Sequence, residues 1–233
     1  MRELCFELPP SPTLTIEESD KCFPVNRIYC VGKNYAAHAR EMGRDEREPP
    51  FFFMKPANAA VDAAHPIELE YPPQTSNFHY ELELVAVLGA PLRNATQEEA
   101  IEAIFGYAVG LDMTRRDLQL EAREKGRPWE LGKSFSRSAP IGAIRQAKEW
   151  PDSQIVLTVN GEARQESRTS MMLWGVAESL AFLSQFDTLE PGDVLMTGTP
   201  AGVGPVTPGD KMVGTITQLR PIEVLITEPK QDR

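Results

Sequence analysis

Apolar residues along the chain fall mostly at alternate positions or in short runs punctuated by proline and glycine, a pattern that predicts many strands and few helices. Arg27 to Val31 reads as a strand that Gly32 breaks. Asn34 is placed to cap a short helix from Tyr35 to Met42, ended by Gly43. That helix has little to bury and leads into charged residues 44–48, so it is expected to act as a lid. Phe51 to Met54 reads as a buried strand and residues 79–88 as a longer one. Thr96 and Glu99 form a capping box for a helix through Ile104. The strand Tyr107–Leu111 then runs into a polar amphipathic helix closed by Gly126 and Pro128. Strands near 139–144 and 155–159 follow, and Asn160-Gly161 is a hairpin turn. Ser170 caps an apolar helix from Met171 to Phe186, which is read as packing surface. The similar turns Glu190–Asp193 and Thr207–Asp210 look like two hairpin entries in a β-rich roll. Residues 1–24 are expected to form a leader strand and connector, and 25–233 a single α+β domain with mixed strands around one core.

Composition narrows the class. The chain has 233 residues, of which 41% are hydrophobic and 25% charged, enough to bury a core without disulfides. A formal net charge of −10 argues against nucleic acid and against a polybasic membrane contact. No apolar run is long enough to span a bilayer, and the N-terminus lacks a basic-then-apolar signal pattern. Cys5, Cys22 and Cys30 show no paired spacing, so a reducing cytoplasm is the expected location.

The most informative segment is His79 to Leu88. Alternation in a strand puts His79, Glu81, Glu83, Val85 and Val87 on one face. Solvated glutamates on an amphipathic strand are the ordinary reading of such a pattern. Here the glutamate face continues as valine and the opposite face is apolar almost throughout, so both faces are expected to be covered. A third acid, Asp112, ends the apolar run 107–111, where it also suits a helix cap. If the three converge, each like-charge pair at about 4 Å costs roughly 4 kcal/mol at an effective dielectric near 20. A cation removes that cost, and oxygen-only ligands favour Mg²⁺, Mn²⁺ or Ca²⁺ over zinc. His79 is read as a supporting or packed residue and not as a ligand.

Five motifs resemble the fumarylacetoacetate hydrolase family, in family order. They are RIYCVGKNYAAHAREM from Arg27, HYELE from His79, GLDMTRRD from Gly110, LGKSF from Leu131 and TGTPAGVG from Thr197. FFFMKP from Phe51 and KGRPW from Lys125 are similar to the family's bacterial fumarylpyruvate hydrolases of gentisate breakdown. The resemblance implies a β-roll-based fold, a homodimer, and a metal held by Glu81, Glu83 and Asp112. It also implies a dyad in which Glu41 orients His38 to deprotonate water, and a pocket lysine, Lys133, read here in a turn-to-strand context. Arg116 and Gln119 share a helix face and are candidates to clamp substrate oxygens. Gly198 and Thr199 lie in a glycine-rich segment that is no P-loop and suits close approach to a carboxylate, with Thr199 donating a hydrogen bond.

The implied chemistry is hydrolysis of a 2,4-dioxo acid, with fumarylpyruvate giving fumarate and pyruvate. Water activated by His38 attacks C4, the C3–C4 bond breaks, and Lys133 helps to stabilise the enolate. The alternative is oxaloacetate decarboxylation or keto–enol tautomerisation through the same enolate. A catalytically silent binding protein would be expected to lack one of the acids or the dyad, and all five residues are present. Arg115 and Arg127 are the candidates for a distal carboxylate.

Overall fold

The computed structural model describes residues 5–7, 9–35 and 48–229. Its centre is a mixed sheet with strand order Phe51–Pro56, Arg27–Gly32, Val194–Met196, Leu82–Leu88, Ile104–Leu111, Ala139–Ile141 and Ala60–Asp62. Arg145–Gln146 pairs additionally with Ile104–Leu111. All seven residues of Leu82–Leu88 are buried, because both faces of this strand are covered. Leu82, Leu84, Ala86 and Leu88 point into a large core shared with Ile155, Leu157, Met212 and Val224 of a five-stranded sheet. Val85 and Val87 point the other way, into a smaller core with Ile28, Cys30, Val194 and Met196. That second core is closed by Leu14, Ile16 and Phe23, from and just after the paired strands Thr13–Thr15 and Cys22–Pro24. Residues of the expected leader and connector thus supply core side chains.

The α+β expectation holds: four short α-helices accompany the sheets among the described residues. The Thr96 capping box is present, with its helix at Gln97–Ala103. Asn160 and Gly161, both at positive φ, turn the hairpin between Gln154–Val159 and Glu162–Arg168.

Several local expectations are corrected. Phe51–Pro56 is a strand, but it lies at the sheet edge and leaves Phe51 39% and Met54 43% exposed. The strand expected over 79–88 is two, Phe78–Tyr80 and Leu82–Leu88, in different sheets and separated at Glu81. Ile104 begins a strand and does not end a helix. The helix expected from Met171 is shorter, Val176–Leu183, and starts at Gly175, whose N–H donates to the Glu178 carboxylate at 3.1 Å. Ser170 belongs to a preceding 3₁₀ turn and donates its N–H to Asp152. Neither proline-glycine turn joins two paired strands. The first precedes Val194–Met196, which pairs with Arg27–Gly32 and Leu82–Leu88, and the second connects strands of different sheets. No helix among the described residues is long and apolar enough to cross a membrane.

Candidate functional site

Strand register brings the three acids together. Leu82 pairs with Leu111, so the residues just outside that pair, Glu81 and Asp112, become neighbours. The Asp112 N–H donates to the Glu81 carbonyl at 2.8 Å. Glu83, two residues on, shares the face of Glu81. One carboxylate oxygen from each of Glu81, Glu83 and Asp112 lies within 4.8 Å of the others, and their residues are 8%, 2% and 1% exposed. Burial first, then Asp112 and Glu81, pushes the Glu83 carboxyl well above its ordinary value.

Cations surround the cluster. Lys133 Nζ donates to Glu81 Oε2 at 2.7 Å and to Asp112 Oδ2 at 2.5 Å. Burial pulls the Lys133 ammonium down, but Asp112 and Glu81 outweigh it and hold the group above its ordinary value. Lys133 ends the short helix Glu130–Lys133, which corrects the turn-to-strand expectation. Gly132 permits that position, since a Cβ there would meet the Gln119 backbone at 2.8 Å. Arg116 pairs with Glu81 and also donates to Gln119 Oε1.

His79 is outside the carboxylate set. Arg116 Nε donates to its Nδ1 at 3.4 Å, which assigns the ring proton to Nε2, facing Asn77 Oδ1 at 2.8 Å. Burial, then Arg116, lowers its pKa to about 4, so the ring is neutral.

Three residues of the site escaped the sequence reading. Lys55 is fully buried and places Nζ 2.9 Å from Asp112 Oδ1, 2.8 Å from Ser138 Oγ and 3.2 Å from the Met113 carbonyl. The Asp112 contact is an ion pair outside hydrogen-bonding angles, so Oδ1 itself accepts no hydrogen bond. A lone lysine inside the apolar run 51–56 was the available signal. Gln165, also fully buried, accepts from Leu82 N and donates to Thr199 Oγ1 and the Pro200 carbonyl. Asn34 donates to the Trp174 and Thr197 carbonyls and accepts from Trp174 N, tying the strand end to the glycine-rich segment.

That segment serves the acid cluster. Gly198, at φ 92, donates its N–H to Glu83 Oε2 at 2.7 Å. The Thr199 hydroxyl donates to the Leu82 carbonyl at 2.8 Å, so its proton is directed at the protein and not at a ligand. Thr199 still lines the cavity above the acids, which measures about 400 Å³ and is also walled by Tyr35, Phe53, Arg116, Gln119 and Trp129. A larger surface groove of about 480 Å³ beside Gln97–Ala103 contains none of these groups. Arg115 and Arg127 do not line the cavity. Arg115 stacks on Phe135 at 4.2 Å and donates to the Leu131 carbonyl. His38 and Glu41 lie outside the described residues. The residues flanking 36–47 are held side by side: Tyr35 bridges to Met172, and Trp174 Nε1 donates to the Glu48 carbonyl.

Converging carboxylates beside fixed ammonium groups, on the floor of a cavity, define a class of site: one suited to a hard cation and an anionic ligand. The comparisons agree. Residues 27–226 match the family model described as fumarylacetoacetate (FAA) hydrolase C-terminal, and the chain belongs to the fumarylacetoacetate hydrolase family. A crystal structure of fumarylpyruvate hydrolase from Pseudomonas aeruginosa in complex with Mn²⁺ and pyruvate is 51% identical. It superposes with a TM-score of 0.90, covering 97% of this chain and 100% of that one. A fumarylpyruvate hydrolase from Ralstonia sp is 42% identical over 77% of this chain and 93% of its own length. The oxaloacetate tautomerase YcgM of Escherichia coli is 41% identical over 83% of this chain and 89% of its own.

Proposed function

We propose that the chain is a hydrolase that cleaves the carbon–carbon bond of an acylpyruvate, with fumarylpyruvate as the preferred substrate. The observation that supports this most is the acid-and-lysine cluster in a chain 51% identical to a fumarylpyruvate hydrolase that holds Mn²⁺ and pyruvate. Glu81, Glu83 and Asp112 would hold a divalent cation, and the residues suit one. Every ligand atom is a carboxylate oxygen, and among the described residues Asp112 Oδ1 is buried without a hydrogen-bond donor and Glu83 forms no ion pair. When bound, the ion would supply Lewis-acid stabilisation of negative charge developing on a substrate keto oxygen.

The remaining steps fall to the chain's own side chains. Lys133, charged and already beside the same carboxylates, is placed to face a developing enolate and return a proton to its carbon. Arg116 and Gln119, joined to each other and lining the cavity, would orient the substrate's oxygens. Water needs a base, and His79 does not suit the role because both its ring nitrogens are engaged. His38, oriented by Glu41, is the proposed base. The proposed enzyme is a homodimer, which sedimentation of the purified protein tests.

Oxaloacetate tautomerisation is the second reading, favoured by the 41% identity with YcgM over 83% of the chain. It moves a proton between carbon and oxygen and consumes no water. The test is product analysis by NMR, with Mn²⁺, Mg²⁺ or chelator present. The hydrolase reading requires metal-dependent release of fumarate and pyruvate from fumarylpyruvate. Turnover confined to the keto and enol forms of oxaloacetate would give the second reading first place.

A further inference from the structure

The cavity has a second positively charged region, away from the acids. Arg116, Gln119 and Arg123 lie on one face of the helix Arg116–Glu124, and all three line the cavity. Arg116 is committed to Glu81. Arg123, seven residues further on, has no ion-pair or hydrogen-bond partner among the described residues, and neither has Lys33 on the facing strand end. Lys33 lines the same cavity and follows Gly32 in the left-handed region, at φ 54, an uncommon conformation for a lysine. Two cations without a partner among the described residues, in one cavity of a chain with net charge −10, call for an anion.

We infer that Arg123, assisted by Lys33, is the specificity-determining residue that binds a carboxylate at the far end of the substrate's acyl arm. The enzyme thereby selects acylpyruvates that are dicarboxylic. The inference rests on the hydrolase reading above and deepens it. Seven residues of helix place Arg123 about 10 Å beyond Arg116 along the axis. The two carboxyl carbons of an extended seven-carbon dioxo diacid are about 8 Å apart, from six bonds of about 1.5 Å in a zigzag. With one end by the acid cluster, the other comes within reach of a guanidinium. A four-carbon keto diacid, about 4 Å between carboxyl carbons, does not reach it. Phe53 and Trp129, packed at 5.7 Å between centroids, wall the space between with apolar surface suited to an unsaturated linker.

The test compares kcat/KM for fumarylpyruvate with that for acetylpyruvate, whose acyl arm ends in a methyl group. Arg123→Ala should lower the ratio about 10- to 100-fold, the loss expected for one charge-assisted hydrogen-bonded contact. Arg123→Gln, which keeps the side chain's length without its charge, should do nearly the same, and Lys33→Ala should lower it less. Arg123 is exposed near a helix end, so these variants are expected to fold. An unchanged ratio in an enzyme that still hydrolyses both substrates overturns the arginine assignment alone. Wild-type enzyme that hydrolyses neither acylpyruvate overturns the hydrolase reading, and this inference with it.

Discussion

Replacing Glu83 by glutamine should stabilise the metal-free protein while destroying its response to metal. The substitution keeps the size of a side chain that is 2% exposed and can preserve the bond from Gly198 N–H, since an amide oxygen also accepts. What it removes is a charge. At 4.8 Å and an effective dielectric near 20, each of the repulsions with Glu81 and Asp112 is worth about 3.5 kcal/mol. Lys133 returns part of that, and protonation of Glu83 relieves more, so the net gain should be on the order of 2 kcal/mol. For a domain of this size that raises Tm by about 4–8 °C in chelator. The pH dependence has a definite sign. A carboxyl held above its ordinary value of 4.5 lets the folded state bind more protons than the unfolded one, so wild-type stability falls as pH rises above about 4.5. The advantage of Glu83→Gln should therefore widen with pH. With Mn²⁺ at 100 times its Kd the wild type should gain about 2.7 kcal/mol and the variant far less, so their order reverses. Scanning calorimetry across a Mn²⁺ series reads both effects. A variant that melts below wild type in chelator, or that Mn²⁺ stabilises equally, refutes the reasoning.

Lys55→Met should lower stability by about 3–5 kcal/mol in urea unfolding, because it leaves the buried Asp112 with Lys133 alone and strands two acceptors. Gly198→Ala should cost about 1–3 kcal/mol and weaken Mn²⁺ binding in calorimetry. Its Cβ would stand 2.7 Å from Asn34 Cβ at a positive φ, displacing the N–H that holds Glu83. His38→Ala should lower fumarylpyruvate hydrolysis about 10²- to 10⁴-fold in steady-state assays. It should leave the Mn²⁺-induced rise in Tm unchanged, and full activity would remove His38 from the mechanism.

The carboxylates were legible because β-sheet geometry is periodic. Alternation alone places Glu81 beside Glu83, and the valines that follow mark their face as buried. Asp112 was legible as the end of an apolar run, but its pairing with Glu81 depends on strand register, which the two runs do not specify by themselves. Lys55 and Gln165 were missed because each acts across long stretches of sequence, Lys55 on Met113 58 residues away and on its neighbour Asp112, Gln165 on Leu82 83 residues away. No local pattern encodes such a contact. Which arginine lines the cavity was not legible for a related reason. Arg115, Arg123 and Arg127 look alike in sequence, and only the start and direction of one nine-residue helix decide which lines the cavity.

Charge accounting explains why the cluster needs Lys55 as well as Lys133. Two of the three acids, Glu81 and Asp112, are in contact with the cations Lys55, Lys133 and Arg116, and with Glu83 ionised beside them the formal charges of the six groups cancel before any ligand enters. A dication would leave the site with two positive charges, the complement of a dicarboxylate substrate. Lys133 and Arg116 line the cavity, so a substrate can draw them away from Glu81, whereas Lys55 is sealed beneath Asp112 and does not line it. Lys55 therefore offsets the repulsion permanently, and Lys133 is the ammonium left available to follow the charge that develops on the substrate. This division predicts different phenotypes for two lysines that touch the same aspartate: loss of Lys55 should appear mainly in stability, and loss of Lys133 mainly in turnover.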